Sequence, residues 1–120
     1  MGYLILTGMI TLISGCEHLA EMHERSKFER RQAGKVRVAV SDPRSSCKEI
    51  GSVETERESI SEAKTDLRRE AYKSRANYVR QESVDSHYVK RKDKEIKVFV
   101  VTGTAFFCKH IKNVKFDYKK

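Results

Sequence analysis

The residues of this chain whose side chains could do chemistry are first of all its three cysteines, Cys16, Cys47 and Cys108. A cysteine thiol can accept a lipid, form a disulfide, hold a metal ion or act as a nucleophile, and its surroundings decide between these. Cys16 ends an uncharged stretch, whereas Cys47 and Cys108 lie within the charged remainder of the chain. Different chemistry is therefore expected of Cys16 and of the other two.

The uncharged stretch before Cys16, residues 1–15, reads MGYLILTGMITLISG. It has the length of the apolar core of a signal peptide and is shorter than the roughly 20 apolar residues of a transmembrane helix. It leads into a motif of aliphatic residues, two small residues and a cysteine: Leu12, Ile13, Ser14, Gly15 and Cys16. This motif resembles the lipobox of bacterial lipoproteins. It predicts a lipoprotein signal peptide over residues 1–15 and lipidation of Cys16.

Lipid on Cys16 makes the bacterial membrane the first expected partner. Each buried methylene of an acyl chain contributes about 0.8 kcal/mol, so that two or three chains hold a protein on a membrane almost permanently. Glu17 stands where an Asp would have indicated retention in the inner membrane, and we therefore expect the periplasmic face of the outer membrane. No Lys or Arg precedes the apolar stretch, and the alternative is that residues 1–15 pack into the fold as a strand or helix.

The remainder of the chain is strongly charged and basic. The chain of 120 residues has a formal net charge of +8, and every charged side chain follows Cys16. This length suits one small domain, which we predict over residues 35–120. Residues 16–34 contain few apolar side chains and are predicted to form a tether that is helical in part. His18 and His23 do not have a helical neighbour spacing, so that solvated histidines are expected there rather than a metal site.

Alternating apolar residues and turn signals predict four strands. Val36, Val38 and Val40 lie on one side of a half-buried strand that ends before Pro43. Gly51 is expected to mark a bulge or a close backbone approach in the second strand. A charged loop at residues 90–95 is expected to join the last two strands as a hairpin. The predicted strands cover residues 35–40, 49–55, 78–84 and 96–102.

One helix is predicted between the second and third strands, at about residues 60–75. Ser59 and Glu62 form a capping-box signature, and Ala63, Leu67 and Ala71 follow at helical spacing. The expected fold is an α+β domain: a small antiparallel sheet, with the order β-β-α-β-β in the chain, packed on one helix. Residues 109–120 are expected either to add a further strand or to fray.

Cys47 and Cys108 remain as an even pair once Cys16 carries lipid. The compartment that lipidation implies is oxidising, so that a disulfide between them is the first expectation. In the chain-entropy model, closing a loop of about 60 residues contributes about 4 kcal/mol. The alternative is a metal site of Cys47, Cys108 and His110, because residues 108 and 110 share one face of a strand. A nucleophilic role of Cys108 beside His110 is not expected, since a bridged or buried cysteine is inert.

Three motifs, taken in their order along the chain, resemble a known family. They are CKEIGSV at 47–53, Ala76-Asn77-Tyr78-Val79 after the helix, and GTAFFC at 103–108. Together with the lipobox they resemble a family of short Gram-negative lipoproteins of unknown function, distantly akin to the outer-membrane sensor lipoprotein of the Rcs envelope-stress phosphorelay. The resemblance covers residues 36–108. It implies a sheet-and-helix domain, a disulfide from Cys47 to Cys108 and no established enzymatic activity.

One departure from the family's pattern is Arg75, which stands where the family has Gly. The position falls at the end of the predicted helix, where a residue in the left-handed conformation is expected. Arg has a steric cost in that conformation that Gly does not have.

The chain contains none of the common catalytic motifs. There is no phosphate-binding loop, no Gly-x-Ser-x-Gly, no His-Glu-x-x-His and no Cys-x-x-Cys, and His87 is isolated between Ser86 and Tyr88. The sequence therefore predicts a non-enzymatic binding or sensing module without a cofactor or a resident metal. Expected partners beyond the membrane are an envelope protein, peptidoglycan or anionic lipid.

Basic charge supports one alternative function. A pI near 9.5 and cationic clusters at residues 90–94 and 109–120 are typical of soluble proteins that bind polyanions or nucleic acid. The predicted export signal disfavours this alternative, and nucleic acid is not an expected partner.

Overall fold

The structure is a computed structural model and describes residues 19–118. The predictions for the signal peptide, the motif Leu12–Cys16, Glu17 and His18 therefore lie outside the described residues. The described chain is an α+β fold of two helices and a four-stranded mixed sheet. Its elements are α1 (19–33), β1 (Arg37–Ala39), β2 (Lys48–Arg57), α2 (Ile60–Lys73), β3 (Tyr78–Arg91) and β4 (Lys94–Phe107).

The sheet has the strand order β1-β3-β4-β2. β2 and β3 each pair with β4 in the antiparallel direction, whereas β1 pairs parallel with β3, with Arg37 opposite Tyr78. The prediction of a wholly antiparallel sheet is therefore wrong for β1. Alternation of apolar residues does not specify strand direction. The chain between β1 and β3 passes through β2 and α2, which gives it the length that a parallel connection needs.

A helix forms where a partly helical tether is predicted, but the prediction of a sheet packed on one helix is wrong, because α1 packs on the fold as well as α2. The last turn of α1 enters the core, where Gln32 and Ala33 are buried. The sequence pattern did not indicate this packing, since apolar side chains are sparse in residues 19–33 and the burial is confined to the end of the helix. After α1 the chain turns at Gly34, and Val36 joins the same core.

α2 forms where the capping signature predicts it. The Ser59 hydroxyl accepts a hydrogen bond from the Glu62 N–H at 3.2 Å, which satisfies one of the unpaired donors of the first turn. Ala63, Leu67 and Ala71 are fully buried against the sheet. Because two of these three side chains are small, the helix approaches the strands closely.

Arg75, which follows α2, has the left-handed backbone conformation that was expected at this position. Arg75 has a φ of 64°, and its N–H donates to the Tyr72 carbonyl oxygen at 2.9 Å. The Ala76 N–H donates to the Ala71 carbonyl oxygen at 2.9 Å, which completes a Schellman motif. A non-glycine residue in this conformation costs roughly 1–2 kcal/mol.

β3 and β4 form a hairpin that is longer than predicted. The strands are joined by a two-residue turn, Lys92 and Asp93, whose φ values are 51° and 63°. β2 ends at Arg57, opposite Phe99, so that the part of the hairpin nearer the turn has no third strand beside it. The predicted bulge at Gly51 is confirmed by a register shift between Glu49 and Gly51.

The segment after β4 is not a strand over residues 109–118, and it is not frayed there. Val114 is buried in the core. The Tyr72 hydroxyl donates to the Lys115 carbonyl oxygen at 2.7 Å, and the Lys115 N–H donates to Gln32 Oε1 at 2.8 Å. Phe116 stacks on Tyr72 with a centroid distance of 5.1 Å. The segment thus fastens α1 to α2.

Candidate functional site

Cys47 and Cys108 form a disulfide, as predicted. The S–S distance is 2.07 Å and the Cα–Cα distance is 4.2 Å. Cys47 immediately precedes β2 and Cys108 immediately follows β4, so that the bond closes the end of the sheet opposite the hairpin turn. Cys108 is fully buried beside Tyr78 and Phe106, and Cys47 packs against this cluster.

Asn77 is a buried polar residue at the same end of the sheet. Its Nδ2 donates to the carbonyl oxygens of Cys108 and Ile111 at 2.8 and 3.1 Å, and its Oδ1 accepts from the Cys108 N–H at 2.7 Å. All three bonds hold the chain around the second cysteine. Asn77 therefore acts on the position of Cys108, a role that no sequence motif assigned to it.

The three residues of the alternative metal site lie close together. One ligand atom from each of Cys47, Cys108 and His110 lies within 4.8 Å of the others, and His110 is exposed. In the disulfide, however, neither sulfur is the thiolate that ligates zinc. The three residues could hold a metal only after reduction, and they would then leave a fourth position open.

An open groove of about 590 Å³ lies beside the disulfide. Its walls come from the start of β2, the turn that follows α2, the end of β4 and the terminal segment. It is lined by Lys48, Glu49, Ile50, Arg75, Phe107 and Phe116. Four separate parts of the chain thus contribute to one concave surface, which is the usual setting of a binding site.

The groove combines exposed apolar groups with charge. Ile50 is the extra residue of the β2 bulge and is 40% exposed, and Phe107 is 36% exposed. The Arg75 guanidinium lies 5.3 Å from the centre of the Phe116 ring and forms an ion pair with Asp117 at 3.3 Å. A ligand with an apolar part and an anionic part would match this lining.

The motifs that resemble the family fall partly on this groove: CKEIGSV includes Ile50, GTAFFC includes Phe107, and Arg75 is the departure from the family pattern. The signal for Ile50 was the neighbouring glycine, because a bulge redirects the side chain next to it. Neither the motif GTAFFC nor the residues around Phe116 distinguished a groove wall from a core position.

The pKa of Tyr72, whose ring stacks on Phe116 of the groove, is shifted by its surroundings. Burial first, and the negative charge of Glu29 second, raise the pKa of Tyr72 above its usual value. The neutral hydroxyl is therefore favoured, and this form donates to Lys115 in the terminal segment.

His87 is paired with a carboxylate on an exposed part of the sheet. Its Nε2 lies 3.0 Å from Glu56 Oε1, and both side chains are about half exposed. A catalytic histidine of a nucleophilic mechanism also needs a hydroxyl or thiol within hydrogen-bond reach. No such group bonds to His87 among residues 19–118. The pair is an exposed contact between side chains of β2 and β3.

The cationic clusters lie at opposite ends of β4. One surrounds the hairpin turn before Lys94, and the other follows Phe107. β4 has 14 residues, and a strand of this size is about 45 Å long. In the described chain the two clusters therefore do not merge into a single basic patch.

Comparison with family models, with curated proteins and with solved structures found no match to the chain. Within residues 19–118, neither helix has the length and apolar character needed to cross a membrane.

Proposed function

We propose that the chain is a lipid-anchored lipoprotein on the periplasmic face of the bacterial outer membrane, where it acts as a non-enzymatic binding or sensing module. The observation that carries this proposal is the Cys47–Cys108 disulfide. Disulfides persist in oxidising compartments such as the periplasm and are rare in the cytosol. The disulfide is consistent with the export that the motif ending at Cys16 predicts.

The groove beside the disulfide is the proposed contact surface of this module. Its exposed Ile50 and Phe107 offer an apolar contact area, and Arg75, which pairs with Asp117, offers its remaining guanidinium donors to a carboxylate or phosphate. An exposed segment of another envelope protein with one apolar and one acidic side chain fits this chemistry. Peptidoglycan and anionic lipid headgroups are the other expected partners.

The intact mass of the protein from bacterial membranes tests the anchoring. The expected mass is that of residues 16–120 plus a diacylglyceryl group, with two hydrogens fewer than the reduced form. The variant Cys16→Ser is expected to keep the disulfide and lose the lipid, so that it serves as the matched control. A mass that retains residues 1–15 without acylation would contradict the proposal.

Soluble polyanion binding is the second candidate, and the net charge of +8 favours it. Its test is binding of the chain to a single-stranded oligonucleotide over a salt series. A binder that neutralises many phosphates loses affinity steeply between about 50 and 200 mM salt. Because the cationic clusters are separated by the length of β4, we expect weak binding with a shallow salt dependence.

A further inference from the structure

β3 has a long edge that no strand of the described chain covers. β1 pairs with β3 only from Tyr78 to Arg80, whereas β3 continues to Arg91. The residues from Val84 to Tyr88 are all exposed. An unpaired edge presents N–H and C=O groups to any other strand, and natural proteins block most such edges with bulges, charges or proline. Here the edge has a bulge at Glu82 and is regular from there to the turn.

The hairpin turn determines which backbone groups of β3 face outward. Both residues of the turn at 92–93 have positive φ, as in a type I′ turn, so that the residues flanking the turn form a hydrogen-bonded pair. Hydrogen-bonded and non-hydrogen-bonded pairs then alternate along the antiparallel ladder. Val84, Ser86 and Tyr88 therefore direct their N–H and C=O groups away from β4, toward the open edge.

The open edge is complementary to itself about Ser86. When two β3 strands are placed antiparallel with Ser86 opposite Ser86, Asp85 lies opposite His87 and Val84 lies opposite Tyr88, each pair occurring twice. Val84 and Tyr88 are 39% and 66% exposed, so that this pairing buries apolar surface that is open in one chain. A register centred on Asp85 or on His87 would instead oppose two carboxylates or two imidazoles.

In this register, Asp85 of one copy gives His87 of the other copy a second carboxylate partner. Its Nε2 already faces Glu56 at 3.0 Å. Within the described chain, the Asp85 carboxylate forms no hydrogen bond or ion pair, whereas the backbone of Asp85 pairs with Val100 of β4. In the paired edges, the carboxylate of Asp85 would meet the second nitrogen of His87 from the other copy. Each of the two ring nitrogens of His87 would then have a carboxylate oxygen beside it.

We propose that the chain forms a two-fold homodimer through antiparallel pairing of its β3 edges over residues 83–89. The pairing joins the two four-stranded sheets into one continuous sheet, with the bulge at Glu82 as its limit on each strand. The two copies use the same surface, as two-fold symmetry requires. The groove beside the disulfide lies at the other end of β4 and stays open in this dimer. The proposal stands whether or not Cys16 carries lipid.

Sedimentation equilibrium of the full 120-residue chain in density-matched detergent micelles tests the dimer. The unaltered chain is expected to change from monomer to dimer with increasing concentration. Ser86→Pro removes the central outward N–H without removing a bond to β4, and it should weaken the dimer at least tenfold. Ser52→Pro is the matched control, because Ser52 lies on the outer edge of β2, and it should dimerise as the unaltered chain does.

Charge reversal provides a second, independent variant. Asp85→Lys places an ammonium group opposite His87 and should weaken the dimer, whereas Glu54→Lys on β2 should not. Circular dichroism melting of each variant verifies that the fold is intact. A chain that stays monomeric at every concentration overturns the proposal. The proposal is also overturned if Ser86→Pro and Asp85→Lys both dimerise as the unaltered chain does. It is likewise overturned if Ser52→Pro abolishes the dimer.

Discussion

The side chain of Asn77 binds both backbone groups of Cys108. Oδ1 accepts from the Cys108 N–H at 2.7 Å, and Nδ2 donates to the Cys108 carbonyl oxygen at 2.8 Å. Asn77 directly precedes β3 and Cys108 directly follows β4, so that one side chain clamps the open end of the hairpin. The disulfide partner of Cys47 is therefore positioned by hydrogen bonds as well as by packing.

Asn77→Ala is expected to lower the free energy of unfolding by about 3 kcal/mol, because it leaves buried backbone groups of Cys108 without partners. Urea denaturation of the oxidised protein measures the change. Asn113→Ala, at an exposed position in the same terminal segment, is the control and should remain within about 0.5 kcal/mol of the unaltered chain. Equal stabilities of the two variants would contradict the clamp.

Gly103→Ala is expected to destabilise the sheet by about 1–3 kcal/mol. A Cβ at this position would lie 2.6 Å from the Arg80 carbonyl oxygen and 2.9 Å from Val79 Cγ1, so that the strands must shift. Gly51→Ala is the matched control, because nothing lies within 4 Å of a Cβ there. It should raise stability by about 0.5 kcal/mol by restricting the unfolded chain. Thermal melting of the two variants side by side distinguishes them.

Arg75→Gly is expected to stabilise the fold by about 1 kcal/mol, since Gly adopts a φ of 64° without the steric cost of a side chain. Arg75→Ala keeps that cost and loses the contact with Phe116, so that it should not stabilise. Urea denaturation compares the two. If Gly and Ala behave alike, the left-handed conformation is not the source of the cost. Residues held in this conformation cluster at binding sites, and Arg75 lines the groove beside the disulfide.

The pH dependence of stability should carry a contribution from Glu82. The hydrogen bond from Thr104 first, and that from Arg80 second, lower the pKa of Glu82 below the ordinary value of 4.5. The unfolded chain therefore takes up the proton at a higher pH than the folded chain does. This contribution to stability is complete above the ordinary pKa and is lost as the pH falls through the folded pKa.

Glu82→Gln removes this contribution, so that the urea midpoint of the variant should fall less than that of the unaltered chain when the pH is lowered from about 5 to about 3. Glu54→Gln removes an exposed carboxylate of β2 and is the control. Its acid dependence should follow that of the unaltered chain. A Glu82→Gln variant that is as acid-sensitive as the unaltered chain would show that the hydrogen bond from Thr104 does not stabilise the carboxylate.

The parts of the fold that could be predicted from the sequence are those with local signals. The capping residues Ser59 and Glu62 indicated α2, and Gly51 indicated the bulge of β2. The direction of β1 and the packing of α1 had no such signal. Both depend on contacts with residues far along the chain, such as that of Gln32 with Lys115.

The candidate site was less predictable than the fold for the same reason. The disulfide followed from a count of cysteines and from the expected compartment. The groove beside it is assembled from four parts of the chain. Only their packing brings the ring centroids of Phe107 and Phe116 to 6.3 Å from each other. The edge of β3 is open because β1 is only 3 residues long. The alternation of Val36, Val38 and Val40 predicted a longer β1, which would have covered more of this edge.

The Cys47–Cys108 bond closes a covalent ring that contains β2, α2, β3 and β4 and leaves α1 and β1 outside it. A tensile load applied from the N-terminal side therefore acts on α1 and β1 before it reaches the ring. β1 is held by a ladder of 3 residues, whereas the ring cannot open without breaking a covalent bond. Peeling β1 away would lengthen the free edge of β3 back to Tyr78. The pairing segment at residues 83–89 lies inside the ring and beyond the bulge at Glu82, so such a load would spare it.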